Sequence, residues 1–236
     1  MTEQFPSSKN ELREKLFDLL KADRWVDSAH STVAPHSDRE VQQLLQGFPG
    51  CVMVVGTGTE FNPSFDPGKE MLILMTHELS KVCDISEADQ TITVSCGRSV
   101  VNTNLTLAEH NFIVPALARF NVGTIGGRLA SVPSSPQPGQ DDDWMQYLLG
   151  LDVVLPSGEL LNMGGKCIKD VAGYDLKHIF TGSKGVVGVI MAATFRCKPI
   201  ESIQWEFSGY KLQTTKKFDP KLKRILDPLG RMHSGA

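Results

Sequence analysis

Three glycine-rich stretches hold the residues whose types and spacing can bind a ligand. The first is Gly56-Thr57-Gly58-Thr59 and the second is Gly123-Thr124-Ile125-Gly126-Gly127-Arg128-Leu129-Ala130. The third, Gly182-Ser183-Lys184-Gly185, continues through Gly188 to Val189 and Ile190. Glycine lets main chain approach a flat or anionic group where a side chain would clash. Successive N–H groups can then converge on an anion, and threonine adds a hydroxyl and a further amide. Taken singly, each stretch also fits a plain turn or tight packing. The first is neither a Walker A motif, since no Gly-Lys-Thr/Ser closes it, nor a full G-x-G-x-x-G.

Other residue types offer less chemistry. His30, His36, His77, His110, His178 and His233 stand at no ligand or triad spacing, so no catalytic residue is assigned. Cys51, Cys83, Cys96, Cys167 and Cys197 lie far apart with no Cys-x-x-Cys. That spacing argues against a metal, an iron–sulfur cluster or a disulfide framework, and for buried, inert thiols. Asp141, Asp142 and Asp143 are adjacent in sequence, and such carboxylates mostly face solvent apart from one another, so no metal site is expected.

The loops need elements to position them. Leu12, Leu16, Leu19 and Leu20 share one face of an amphipathic helix over 9–22. Residues 26–34 read as a short strand. Ser37-Asp38-Arg39-Glu40 forms a capping box ahead of a helix carrying Val41, Leu44 and Leu45 and running to about Gly47. Apolar strands are predicted over 51–55, leading directly into the first glycine loop, and over 71–75. Residues 82–85 and 91–96 flank a polar turn as a hairpin, in which Thr91, Thr93 and Ser95 alternate with Ile92, Val94 and Cys96. A helix follows over 99–111. Further strands are read over 147–155, 160–163, 186–195 and 203–210, with a brief helix over 176–180.

Composition sets broad limits. A chain of 236 residues, 41% hydrophobic and 22% charged, suits an ordinary globular protein with one large domain or two small ones. Its net charge of −3 gives no reason to expect nucleic acid as a partner. No apolar run approaches the roughly 20 residues that span a bilayer. The first residues lack a signal-peptide pattern, so the cytoplasm is the expected location.

The three loops, in this order, resemble the vanillyl-alcohol oxidase/para-cresol methylhydroxylase (PCMH) superfamily of FAD-binding proteins. The resemblance is strongest to the FAD-binding subunits of glycolate oxidase and related D-lactate dehydrogenases. Lys169-Asp170-Val171-Ala172-Gly173-Tyr174-Asp175 is similar to that family's Lys-Asx-x-Ala-Gly-Tyr-Asp. The third loop resembles its Gly-Ser-x-Gly-x-x-Gly-x-Ile, the second its Gly-Thr-x-Gly-Gly-x-x-Ala and the first its Gly-x-Gly-Thr. The resemblance implies an α+β, PCMH-type FAD-binding domain of two small α/β subdomains with the cofactor between them. It implies an N-terminal helix within 1–24, subdomains over 25–80 and 81–210, and a tail helix within 211–236. A C-terminal cap domain, present in relatives after the position of Tyr210, is nearly absent from the sequence. The seven basic residues over 211–231 read as the solvated face of the tail helix.

The resemblance also assigns roles. FAD pyrophosphate would lie on Gly56, Thr57, Gly58 and Thr59 and on Gly123, Thr124, Ile125, Gly126 and Gly127, with Ala130 nearby. The adenosine side would lie near Gly185, Gly188, Val189 and Ile190, and the flavin ring near Gly173 and Tyr174, although Tyr174 fits the core equally well. Lys166 and Lys169 precede Tyr174; Lys169 either places a charge near a reduced flavin or is solvated. No histidine or cysteine in the first loops marks a covalent link, so FAD would be non-covalent. Residues 131–142 depart from the family, with three prolines where relatives carry a Gly-Pro-Arg type of loop. The implied function is an FAD-binding oxidoreductase subunit of a glycolate oxidase-like 2-hydroxy-acid dehydrogenase complex. Its implied partners are a full-length flavoprotein subunit and an iron–sulfur subunit, possible contact with a membrane arising only through them. The alternative is a non-catalytic structural subunit that has lost FAD-dependent activity, motivated by the altered loops over 60–69 and 131–143.

Overall fold

The computed structural model describes residues 25–27, 32–59, 71–118, 120–131, 144–165, 176–202 and 220–233. In chain order the strands are β1 (Trp25–Asp27), β2 (Thr32–Val33), β3 (Cys51–Val55), β4 (Met71–Met75), β5 (Cys83–Ser86), β6 (Thr91–Ser95), β7 (Phe112–Ile113), β8 (Leu148–Val154), β9 (Leu160–Gly164), β10 (Val189–Arg196), β11 (Lys198–Pro199) and β12 (Met232–His233). The α-helices are α1 (Asp38–Gly47), α2 (Val100–Glu109), α3 (Pro115–Ala118), α4 (Ile125–Ser131), α5 (Trp144–Tyr147), α6 (Lys177–Phe180) and α7 (Pro220–Leu226). Mixed helix and sheet place the chain in the expected α+β class. The helix read over 9–22, the loop over 60–69, the segment 132–143 and the strand over 203–210 lie outside the described residues, as do Lys166, Lys169, Gly173 and Tyr174.

The first sheet has the order β1-β2-β4-β3-β12, parallel from β2 onward and with β1 antiparallel to β2. Its central strands, CVMVV and MLILM, are continuous apolar runs, the pattern of parallel strands covered on both faces. Helix α1 buries Val41, Leu44 and Leu45 in a core that includes Val33, Val52, Leu72 and Leu74. Each such side chain contributes about 1.5–3 kcal/mol, whereas a helix cap contributes about 1 kcal/mol, so packing dominates the helix's stability. The cap forms as expected, with Ser37 Oγ accepting from Glu40 N at 3.3 Å. The Glu40 carboxylate accepts from His36 N at 2.8 Å, one residue before the Ser37 amide that a standard capping box would use.

Two expectations change here. The single strand read over 26–34 is two short strands paired antiparallel, so the chain reverses between them. The segment read as a tail helix contains α7 and also supplies β12, which pairs Met232 with Val52 and His233 with Met53.

The second sheet, β5-β6-β10-β8-β9, is antiparallel throughout. Ile92 and Val94 face a core that includes Leu117, Trp144 and Phe195. The alternating polar face of β6 is covered as well: Thr91 and Ser95 are buried, and Thr93 Oγ1 lies 2.9 Å from Thr194 Oγ1 across the strands. The strand expected over 186–195 begins at Val189, because the preceding residues form turns. Val154, Val189 and Met191 of this sheet also pack in the core of the first, joining the two layers.

The chain passes between the sheets at a point of close backbone contact. Gly97, just after β6, donates its N–H to Leu79 O at 3.1 Å. A Cβ at position 97 would stand 1.9 Å from Thr76 O and 2.6 Å from Leu79 O, both backbone atoms with little freedom to yield. Gly97→Ala is therefore expected to cost more than the about 1–3 kcal/mol of ordinary overpacking. Gly165, where a Cβ would meet no described residue within 4 Å, is the control. Urea unfolding midpoints should fall sharply for Gly97→Ala and stay near wild type for Gly165→Ala; equal midpoints would contradict the crossing.

Candidate functional site

The first glycine loop leaves the carboxyl end of β3, inside a run of parallel strands, where open sheets of this kind receive ligands. Its neighbour across the sheet is anchored there: Thr76 N donates to Val55 O at 2.9 Å. Gly58 has φ 79°, which turns the loop, and Thr57 Oγ1 and Thr59 Oγ1 are 2.9 Å apart. Among the described residues, none accepts a hydrogen bond from the N–H groups of Gly56, Thr57, Gly58 or Thr59. Four consecutive amides at a strand end, engaged by no described residue, suit an anion.

The second loop uses its amides internally. Ser99, the N-cap of α2, forms a bridge with Thr124, and Val100 N donates to Gly123 O at 3.0 Å. Ile125 N donates to Arg98 O at 3.0 Å and Gly126 N to Cys96 O at 2.7 Å. Gly127 N donates to Thr124 Oγ1 at 3.1 Å and Arg128 N to Thr124 O at 2.9 Å. The Thr124 hydroxyl, expected to be offered to a ligand, is buried and accepts from its own loop. The loop is also the wall against which the first one rests: a Cβ on Gly56 would stand 2.5 Å from Thr124 Oγ1. Gly126 also packs closely: a Cβ there would stand 2.8 Å from Cys96 Cβ. Arg128 is buried beside this wall, its Nε donating to Val122 O at 3.1 Å and its guanidinium 4.9 Å above the Phe120 ring.

The third loop closes the other end of α4. Gly182 N donates to Leu129 O and Lys184 N to Ala130 O, both at 2.8 Å, satisfying carbonyls that a helix end leaves open. A Cβ on Gly185 would lie 3.2 Å from Val54 Cβ, so this loop abuts the strand that feeds the first. Val189 and Ile190 have buried side chains, and their main chain pairs with Val154 and Val153 of β8. The ladder with β6 begins only at Ala192, so any part these two residues play toward a ligand falls to their backbone.

The structure thus brings Gly56, Thr57, Gly58 and Thr59 together with Gly123, Thr124, Ile125, Gly126, Gly127 and Ala130, and sets Gly185 beside β3. Sequence reasoning did not reveal the part played by the carbonyls of Cys96 and Arg98, which come from the strand-to-helix connection of another element. Its one local trace was Gly97, between them. Among the described residues no group of three or more His, Cys, Asp or Glu side chains is arranged to hold a metal ion, and no helix is long and apolar enough to cross a membrane. Cys83, Cys96 and Cys197 are free thiols. Burial pushes the Cys96 thiol well up, with the Asp152 charge adding to it, and burial pushes Cys197 up to about 12.

A family model described as an FAD binding domain matches residues 29–164, more than half of the chain. Glycolate oxidase subunit GlcD of Bacillus subtilis is 28% identical over 72% of this chain and 37% of its own length. D-lactate dehydrogenase of Archaeoglobus fulgidus is 30% identical over 71% and 38%, and mitochondrial D-2-hydroxyglutarate dehydrogenase of Danio rerio is 32% identical over 76% and 36%. The chain therefore spans little more than a third of the length of the curated relatives it matches. A solved alkyldihydroxyacetonephosphate synthase structure shares the fold with a TM-score of 0.64 at 20% identity, over 84% of this chain and 43% of that one.

The buried thiols give a pH dependence with a definite sign. Below the ordinary thiol value of about 8.5, Cys96 and Cys197 are protonated in folded and unfolded chains alike and do not alter stability. Above it the unfolded chain releases these protons while the folded chain keeps them, so stability falls with pH up to the raised folded values. Between about pH 7.5 and 9.5 the expected loss is roughly 1 kcal/mol per buried thiol. Urea midpoints of wild type and a Cys197→Ala variant check this: the variant should show the smaller fall, and parallel curves would contradict it.

Proposed function

The chain belongs to the FAD binding domain family, with FAD as its cofactor, and we propose that it holds FAD non-covalently as the flavin-carrying part of a 2-hydroxy-acid oxidoreductase. The observation that carries this reading is the run of four amides at Gly56, Thr57, Gly58 and Thr59, which no described residue engages, set against Thr124 so closely that position 56 has no room for a side chain. A pyrophosphate presents the charge and shape that such a run accepts. Bound there, FAD supplies the hydride and electron chemistry.

The chain's own residues divide the remaining work. The first loop holds the pyrophosphate with main-chain N–H groups. The second, whose amides at 125 and 126 are committed to internal carbonyls and at 127 to the Thr124 hydroxyl, acts as a rigid wall, with Thr124 fixing the approach of Gly56. Gly185 and Gly188, with the backbone of Val189 and Ile190, border the adenosine side. Gly173 and Tyr174 are assigned to the flavin side on sequence similarity alone. The subdomains over 25–80 and 81–210 would enclose the cofactor between the two sheets. Likeness to a protein named as a glycolate oxidase subunit supports a place in a multi-subunit complex; a second flavoprotein and an iron–sulfur subunit are the partners that the sequence resemblance implies.

The test is the visible spectrum of the purified protein, followed by that of the supernatant after heat precipitation. Flavin absorbance that moves into the supernatant is expected, as is bleaching on addition of glycolate or D-lactate once partners are present. A protein that stays colourless after FAD is added would overturn the reading and leave a structural subunit. Gly56→Ala should raise the FAD dissociation constant about tenfold or more, as displacement of one loop from the other implies. Wild-type affinity in that variant would contradict the assignment of the first loop.

A further inference from the structure

The segment 220–233 is folded on itself by Asp227 and Lys223 and is tied to the rest of the protein by β12 and the side chain of Arg231. Asp227 is buried, and its carboxylate accepts from Arg231 N at 3.0 Å and Met232 N at 2.9 Å. Lys223 Nζ stands 3.9 Å from that carboxylate and donates to Met232 O at 2.6 Å. These bonds turn the chain after α7, so that Arg231 O accepts from Val52 N and β12 runs in parallel beside β3. The Arg231 guanidinium reaches in two other directions. Its Nη1 donates to Phe48 O at 2.8 Å, at the end of α1, and its Nη2 donates to Pro156 O, in the β8–β9 turn of the second sheet.

We infer that segment 220–233 is a clasp and that Arg231 is a positioning residue for the 56–59 loop, a role that rests on reading that loop as the pyrophosphate site. Without β12, β3 would be an edge strand, its register held on one side only. With it, both edges of the strand leading into the loop are fixed. The same side chain holds the helix that covers β3 and a hairpin of the opposite sheet, so it also sets the separation of the two sheets. The arrangement needs arginine. A guanidinium presents several donors in a planar fork and can serve two carbonyls on separate elements, which a lysine ammonium on a single point of attachment does not reproduce. Removing it leaves two carbonyls without that donor. Its Nε is buried without a hydrogen-bond partner among the described residues, as expected if the side chain is held for the reach of its two terminal nitrogens.

The test compares full-length wild type, Arg231→Ala, Arg231→Lys and Ile92→Val at a temperature where all are folded. Ile92 is fully buried opposite Phe195 in the second sheet and provides a core-destabilised control that leaves the clasp intact. Two quantities are measured: FAD affinity by fluorescence quenching, and amide hydrogen exchange over 52–59. Both Arg231 variants should weaken FAD binding about fivefold or more and speed exchange over 52–59, with lysine failing to rescue, while Ile92→Val changes neither beyond about twofold. Wild-type affinity and exchange in the Arg231 variants, or equal effects from Ile92→Val, would overturn the clasp. If wild type itself bound no FAD, the proposed function would fail, and the exchange measurement alone would still decide the clasp in the same way.

Discussion

The arrangement depends on a contact that only a missing side chain permits. Gly56 lies against Thr124 so closely that one added carbon would fall 2.5 Å from the threonine hydroxyl. That hydroxyl cannot simply swing aside, because it accepts from Gly127 N and sits in a buried position. The first loop is therefore located by the second, and the second by carbonyls of Cys96 and Arg98 at the end of β6. Gly97, between those two residues, is pressed against Thr76 O and Leu79 O at the carboxyl side of β4. This closes a circuit from β3 through its loop to α4, back along β6 and across to β4. Displacement at any one of these points would move the others.

The two sheets contribute different things to this circuit. The parallel sheet directs the carboxyl ends of β3 and β4 to one side, where the first glycine loop begins. The antiparallel sheet supplies rigidity: β10 is paired along much of its length on both sides, and its first residues also fill the neighbouring core. A site of this kind obtains specificity from backbone placement. That accounts for the scarcity of charged or nucleophilic side chains among the residues the loops bring together, and it leaves the redox chemistry to the cofactor.

Features encoded locally were legible in the sequence. The continuous apolar runs of β3 and β4, the Ser37 cap and the β5–β6 hairpin all depend on residues within a few positions of one another. Long-range features were not. Met232 and His233 are too few to show a period, and they form a strand because β3 offers an edge and Asp227 turns the chain toward it. Residues 26–34 have a composition that suits one strand or two, and pairing decided for two. The glycines of the second loop correctly indicated close approach. What approaches Gly126 is the protein's own Cys96, and local pattern carries no information about that partner. The flavin-side residues Gly173 and Tyr174 rest on sequence similarity, since they lie outside the described residues.

The central claim is that the amides at Gly56, Thr57, Gly58 and Thr59 hold the FAD pyrophosphate. Backbone amide NMR of the isotopically labelled protein, titrated separately with FAD and with riboflavin, addresses it directly, because riboflavin carries the ring without the phosphates. The account predicts that FAD shifts the four loop amides strongly and saturably, while riboflavin leaves them unmoved at the same concentration. Loop amides that ignore FAD, or respond equally to riboflavin, would contradict it.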